Sequence, residues 1–166
     1  MKKLILLTFL MVAGLTTTFA QGKFSGGLEL GLPTGAISDF VGIGFGLSGR
    51  YEAPIQDKLN WIATAGFVSY SGKDYNFGGF TVKGSSVTLI PLQGGIKYYF
   101  QESDNGFYGS AELGLFIASG SGSSSTKFGF SPGIGYRTGN FDISGRYNVV
   151  ADFNTFGIRA AYIFGN

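Results

Sequence analysis

The pattern of this 166-residue chain predicts an all-β fold, an eight-stranded antiparallel up-and-down transmembrane β-barrel. Three observations predict it. Apolar residues alternate with small or polar ones at period two through most of the chain, the pattern of strands with one greasy side. Charged residues are 13% against the roughly 25% usual in soluble domains, while aromatic residues reach 16% and glycines number 29. A water-facing surface normally carries more charge than that. Finally, aromatic residues of apolar-face parity recur at alternate strand ends, where an up-and-down meander gathers them on one rim.

The N-terminus is read apart from the barrel. Met1-Lys2-Lys3, the apolar run Leu4 to Leu15 and the close at Phe19-Ala20-Gln21 show the charged, apolar and small-residue zones of an export signal. The alternative, an N-terminal membrane helix, needs an apolar run of about 18 residues or more. The expected division is therefore residues 1–20 as a cleaved signal peptide and 21–166 as the barrel domain. Past Gln21 no apolar run approaches helix-spanning length.

The strands follow in order. Leu28, Leu30 and Leu32 alternate with Gly27, Glu29 and Gly31 in the first. Val41, Ile43, Phe45, Leu47 and Tyr51 form the apolar face of the second, opposite Gly42, Gly44, Gly46, Ser48, Arg50 and Glu52. Leu59, Trp61, Ala63, Ala65 and Phe67 mark the third, with Ile62 and Val68 intruding on its polar face. The Gly-rich stretch Ser71 to Ser86 reads as a loop, and Thr88, Ile90, Leu92, Ile96, Tyr98 and Phe100 as the apolar face of the fourth strand. Phe107, Ala111, Leu113, Leu115 and Ile117 set the fifth, which runs into a second expected loop, Ser119 to Thr126. The sixth carries Phe128, Phe130, Ile134 and Tyr136, and persists through Pro132 because the alternation continues on both sides. After the tight turn Thr138-Gly139-Asn140 come Phe141, Ile143, Tyr147 and Val149 in the seventh, and Phe156, Ile158, Ala160, Tyr162 and Phe164 in the eighth. An even number suits a bacterial barrel.

Two residue sets stand out. In this register Glu29, Arg50, Glu52, Lys97, Glu112, Arg137, Asp142, Arg146 and Arg159 all fall on the small-residue face, predicting a lumen ion-pair network. Buried charges persist when paired, and a barrel of eight strands is narrow enough to be filled by its own side chains. At least one ion-paired cluster is expected to join an acid among Glu29, Glu52, Glu112 and Asp142 to an arginine of an adjacent strand, since a guanidinium can bridge two carboxylates. The aromatic girdle comprises Phe24, Tyr51, Trp61, Tyr98, Phe100, Phe107, Tyr136, Phe141, Tyr162 and Phe164. Amphipathic rings at one height belong at a lipid headgroup level. Short connections are expected on that rim and long ones opposite.

Other chemistry is constrained by what the chain lacks. It has neither cysteine nor histidine, which removes disulfides, Ser-His-Asp triads, Cys-His pairs and His-ligated zinc. No enzyme activity and no cofactor are expected; an acyltransferase or deacylase acting on membrane lipid would need a site other than the familiar Ser-His one. Gly44-Phe45-Gly46-Leu47-Ser48-Gly49 spells a dinucleotide fingerprint but lacks the following helix, so it reads as small residues lining a lumen. Asp74 with Asn76, and Asp152 with Asn154, read as turn formers, since calcium requires about six oxygens or more. Without Lys2 and Lys3 the basic and acidic counts are equal, and nothing points to nucleic acid.

A water-soluble, lipocalin-like ligand-binding barrel is the alternative fold reading. It would turn the greasy face inward, leave a nearly uncharged Gly/Ser exterior, and crowd Trp61, Phe67 and Phe130 into a narrow interior.

The most specific stretch is Ile90-Pro91-Leu92 with Gly95-Ile96-Lys97-Tyr98-Tyr99-Phe100, followed by Gly106-Phe107-Tyr108 before Leu113-Gly114-Leu115 and Phe156-Gly157-Ile158-Arg159 before Tyr162-Ile163-Phe164. In these the chain, from about Gly22 to Phe164, resembles the outer-membrane β-barrel domain family of small eight-stranded proteins, the OmpA/OmpX and opacity-protein type. The resemblance implies a non-enzymatic protein of a Gram-negative outer membrane, with a role in envelope integrity or surface contact through its extracellular loops. It also implies outer-membrane lipids and the barrel-assembly machinery as partners, the latter reading a C-terminal aromatic. Here Gly165 and Asn166 follow Phe164, a departure that leaves Tyr162 and Phe164 to carry the signal. A narrow porin-like channel for small solutes or ions is the functional alternative, and the sequence identifies no loop ligand.

Overall fold

The computed structural model describes residues 22–77, 80–82, 84–101, 104–120, 122–151 and 153–164. The expected signal peptide 1–20, Asp152, Gly165 and Asn166 lie outside the described residues. In chain order the elements are β1 (Lys23–Pro33), a short 3-10 helix (Gly35–Asp39), β2 (Val41–Gln56), β3 (Leu59–Gly72), β4 (Tyr75–Phe77) and β5 (Phe80–Val82). They continue with β6 (Val87–Tyr99), β7 (Gly106–Gly120), β8 (Ser123–Thr138), β9 (Phe141–Val150) and β10 (Thr155–Phe164).

Eight of these strands form one closed antiparallel barrel in the order β1-β2-β3-β6-β7-β8-β9-β10, while β4 and β5 make a separate two-stranded ribbon. Closure comes from β1 against β10, from Phe24↔Phe164 to Pro33↔Thr155. That pairing satisfies the main-chain groups of the first and last strands, which an open sheet would leave bare.

The faces follow the alternation. Leu28, Phe45, Leu113, Phe128 and Ile134 are exposed on the outside, whereas Ser48, Arg50, Lys97, Glu112 and Arg159 are buried within. This inverts the arrangement of a water-soluble barrel.

Three segments differ from the sequence reading. Val41, placed on the apolar outer face, is 3% exposed and packs inside, because a register irregularity between Val41 and Gly44 turns it inward. Ser119 to Thr126, read as a loop, is a paired hairpin running to Gly120↔Ser123, turned by Gly122 at φ +77°. Small Ser and Gly residues there weaken the apolar signal, but β7 and β8 carry on past it because their ladder needs only main-chain groups. Part of the Ser71 to Ser86 stretch pairs as the β4–β5 ribbon. The far rim therefore holds two long connections, between β1 and β2 and between β3 and β6, and two short ones.

Both mid-strand prolines fit as ladder gaps on one side only. The β3–β6 register passes from Ala65↔Leu92 to Val68↔Leu89 around Pro91, and β8–β9 from Phe130↔Val149 to Gly133↔Arg146 around Pro132. Each keeps its pairing to β7, as Pro91↔Phe116 and Ala111↔Pro132. Proline cannot donate to a ladder but leaves its register intact.

Candidate functional site: the filled lumen

Inward side chains divide the barrel interior into a charged zone toward the aromatic rim, a neutral hydrogen-bonded zone, and an apolar stopper at the loop end.

In the charged zone, Lys97 is enclosed. Its Nζ donates to Glu52 Oε2 at 3.0 Å and Asp142 Oδ2 at 2.8 Å, and lies 3.9 Å from the centroid of the Tyr108 ring. Glu52 also accepts from Asn60 at 2.6 Å and the Tyr99 hydroxyl at 2.9 Å, and Asp142 from the Tyr108 hydroxyl at 2.8 Å. Above this, Arg50 Nη2 donates to Glu112 Oε1 at 2.7 Å while its Nε donates to Thr64 Oγ1 at 3.0 Å. Thr64 in turn donates to Glu112 Oε2 at 2.6 Å, closing a three-residue ring. Arg146 Nη2 stands 3.1 Å from Glu29 Oε1. Arg159 is 3.7 Å from Glu29 and 3.8 Å from Asp142, and it donates to Ser48 Oγ and Ser25 Oγ.

All nine residues singled out on the small-residue face are buried, and the shortest ion pairs among them join strands that are not neighbours. Arg50 on β2 reaches Glu112 on β7, and Lys97 on β6 reaches Asp142 on β9, so these pairs cross the lumen instead of joining neighbouring strands. The cause is the small bore, across which a long side chain spans as readily as to the next strand. Arg159 meets acids on both adjacent strands, Glu29 on β1 and Asp142 on β9, at the longer distances. The tightest two-carboxylate bridge belongs to Lys97, not to an arginine. Arg137, nearest the rim, donates to the Tyr99 hydroxyl at 3.4 Å and the Gly139 carbonyl at 3.2 Å.

Neutral residues continue the network. Gln93 donates to Ser131 at 2.7 Å, Ser131 to Asn148 at 2.8 Å, and Asn148 to Thr155 at 2.9 Å. Arg50 Nη1, Arg146 Nε and Nη1, and Gln93 Oε1 find no hydrogen-bond partner among the described residues.

At the loop end, Val41, Val68, Tyr70, Leu89, Phe116, Val150 and Phe153 form one buried cluster, with Ile37 of the 3-10 helix packed against it. Phe153 comes from the β9–β10 connection and meets Tyr70 edge-on, ring centroids 5.2 Å apart. The alternation hinted at this stopper only through Val68, which looked misplaced on a polar face. Tyr70, Phe116 and Phe153 went unassigned.

On the girdle rim Phe24, Tyr98, Phe100, Phe107, Tyr136, Phe141, Tyr162 and Phe164 are exposed, and Trp61 is half-buried. Tyr51 has outward parity yet is 8% exposed, because the Phe24 and Trp61 rings flank it at 5.6 and 5.2 Å. The Phe107–Tyr136 and Phe141–Tyr162 pairs, at 4.8 and 5.4 Å, continue the ring. Two of the three connections here are tight, with Lys58 at φ 66° and Gly139 at φ +55°, while the third, between β6 and β7, spans residues 100–105. Below the lumen, Lys23 Nζ and Asp104 Oδ2 meet at 3.0 Å, linking β1 to the β6–β7 turn on the far side of the mouth. Burial pushes the Asp104 carboxyl up, but Lys23 outweighs it and holds the group below its ordinary range.

Asp74 and Asn154 serve main-chain turns, accepting from the Gly84 and Val150 N–H groups at 3.0 Å each. The Gly44 to Gly49 motif lies within β2, its Gly44 beneath the Tyr70 ring.

No protein-family model matches the chain, and no curated protein sequence matches it. Solved structures match its fold. Ail, an outer membrane protein of Yersinia pestis studied in a phospholipid bilayer nanodisc, superposes with a TM-score of 0.60 at 14% identity, covering 87% of this chain and 100% of that one. The crystal structure of Ail, the attachment invasion locus protein, with the heparin analogue sucrose octasulfate gives 0.53 at 15% identity, covering 86% and 97%. The N-terminal β-barrel domain of Pseudomonas aeruginosa OprF gives 0.51 at 15%, covering 87% and 100%. The chain thus has the fold of the small eight-stranded outer-membrane barrels of the OmpA/OmpX type.

Proposed function

We propose that the protein is a non-enzymatic barrel of a Gram-negative outer membrane, exported behind a cleaved leader, closed to solutes, and acting at its loop end in envelope integrity or surface contact. The filled lumen carries this reading: crossing ion pairs occupy the half nearer the girdle, and the apolar cluster of Tyr70, Phe116 and Phe153 closes the other. A conducting path requires continuous polar space, and an apolar constriction excludes water. The exposed belt supports membrane insertion, since an apolar surface of that extent has no stable place in water. Lipids of the outer membrane would solvate it, and the barrel-assembly machinery would read Tyr162 and Phe164. Attachment is the role carried by the name of Ail, and loop-mediated surface contact is its extension to this chain.

Planar-bilayer recording of the purified barrel tests the closed lumen. A silent bilayer is expected after insertion is verified by resistance to protease. Steady unitary currents would replace this reading with that of a narrow pore.

A further inference from the structure

Across β8, β9 and β10 the outer face is grooved. The register sets Ile134, Gly145 and Ile158 in one outward row, and the absent side chain at Gly145 leaves a furrow between the two isoleucines. Tyr136 and Ile143 wall it toward the aromatic rim and Phe156 at the loop-ward end, and the groove, open along the barrel's outside, offers about 280 Å³. A second furrow of about 150 Å³, lined by Thr138, Phe141 and Ala160, shares Tyr136 and Ile143 with the first. The two make one track from the girdle toward the loop-ward half of the barrel wall.

The shape and chemistry of the track select its occupant. Its walls are apolar side chains; Ser144, which borders it, turns its side chain into the lumen and offers no hydroxyl outside. A polar ligand would lose its hydration without replacement. A second copy of the chain would need roughly 20 to 30 contributing residues a side, far more than line this furrow. A single methylene chain suits an open apolar groove along the barrel wall whose rim-side part lies at the level where headgroups sit, beside Thr138 and the Phe141–Tyr162 ring pair. Resting on the membrane reading above, we propose that this track holds one lipid acyl chain, with its headgroup end at Thr138 and its tail against Phe156.

The test uses the barrel refolded into phosphatidylcholine nanodiscs doped with a phospholipid carrying a mid-chain diazirine. After irradiation, label is mapped by mass spectrometry. Several-fold more label is expected on the furrow residues Ile143, Gly145, Phe156 and Ile158 than on Gly49 and Ala65, outward positions of β2 and β3 that are exposed. Gly145→Leu fills the furrow: a Cβ there meets Phe156 Cζ at 3.2 Å, and that ring is exposed and free to swing. The variant should lose the enrichment while keeping the heat-modifiable gel shift of a folded barrel. Ala160→Phe, which blocks the rim-side furrow, should do the same and serves if Gly145→Leu misfolds. Uniform labelling of a folded barrel, enrichment that survives a folded blocking variant, or protein–protein cross-links at this face overturn the acyl-chain site alone. Failure of the wild-type chain to fold in lipid overturns the membrane reading and the site with it.

Discussion

Replacing Glu112 by alanine probes whether the crossing ion pairs hold the barrel. Glu112 is 0% exposed and accepts at 2.7 Å from Arg50 and at 2.6 Å from Thr64. Removing its carboxylate leaves the Arg50 guanidinium, 3% exposed, without its counter-ion and the Thr64 hydroxyl without its acceptor. Breaking one side of a buried pair costs about 3 to 5 kcal/mol, chiefly the penalty of a stranded charge, more than a hundredfold in the folding equilibrium. Glu112→Gln keeps the volume and one acceptor but not the charge, so about 1.5 to 3 kcal/mol is expected, in the range of a charge-assisted hydrogen bond. Arg50→Met with Glu112→Leu removes both charges and should recover much of the alanine loss, because the attraction in such a pair roughly offsets its desolvation. Reversible urea unfolding from phospholipid vesicles reads these differences through the single tryptophan, Trp61, on the girdle. A Glu112→Ala change within about 0.5 kcal/mol of wild type, the scale of an inert surface substitution, refutes the reasoning, as does a double variant no more stable than the single one.

Leu113→Arg puts a cation on the outer face at a residue 54% exposed, and should cost about 2 to 4 kcal/mol in vesicle unfolding if it sits near the midplane. No loss would mean that this face meets water. At Gly114 the failure has another cause: a Cβ there would lie 2.1 Å from the Leu92 carbonyl oxygen, so Gly114→Val should block folding although it adds no charge, as heat-modifiability gels will report. Phe116→Ala with Phe153→Ala opens the loop-end stopper, and bilayer recordings should then show flickering conductance absent from wild type; an equally silent double variant would place the barrier in the charged zone. The Lys23–Asp104 bridge, partly exposed, should contribute less than about 1 kcal/mol and be weakened by salt. Because the folded Asp104 value lies below its ordinary one, that contribution is present above about pH 4 and fades as pH falls through the folded value, so wild type and Asp104→Asn should differ at pH 7 and converge as that carboxyl is protonated.

The barrel was legible in the sequence because the two faces meet such different surroundings. Ile43, Phe45 and Leu47 alternate with Gly44, Gly46 and Ser48 without interruption, and a period of two fixes both the strand and its orientation. Charge placement was legible for the same reason: Arg50, Lys97 and Glu112 could sit on only one face. Partner choice was not, since which acid meets Arg50 depends on the bore and stagger of the closed barrel, and no local pattern encodes these. The stopper was hidden differently. Tyr70 and Phe116 have the inward parity of their strands, but an aromatic on a small-residue face reads as noise until closure puts it beside Leu89 and Val150. Val41 was misplaced because a bulge resets parity, and a bulge beside glycines leaves little trace in composition.

What fixes the register of this barrel lies inside it. The outer face is blind to some errors: slipping one strand by two residues moves it roughly 6.6 Å yet keeps apolar side chains outward, so lipid would accept the mistake. The lumen would not. Glu29 pairs directly with Arg159 across β1 and β10, and a two-residue slip would carry the acid away from both Arg159 and Arg146. The inward glycines add a second check, because they lie beneath large inward groups of other strands: Gly31 and Gly44 under Tyr70, Gly135 under Tyr108, Gly129 under Phe116. A Cβ at any of these four would come within 2.3 to 2.7 Å of the ring above it, so each pairing works only when glycine faces aromatic. Lipid offers little hydrophobic drive for one strand to prefer a particular partner alignment. The buried charges and the glycine–aromatic matches therefore supply the specificity that the belt cannot, at the cost of a lumen too full to be a free passage.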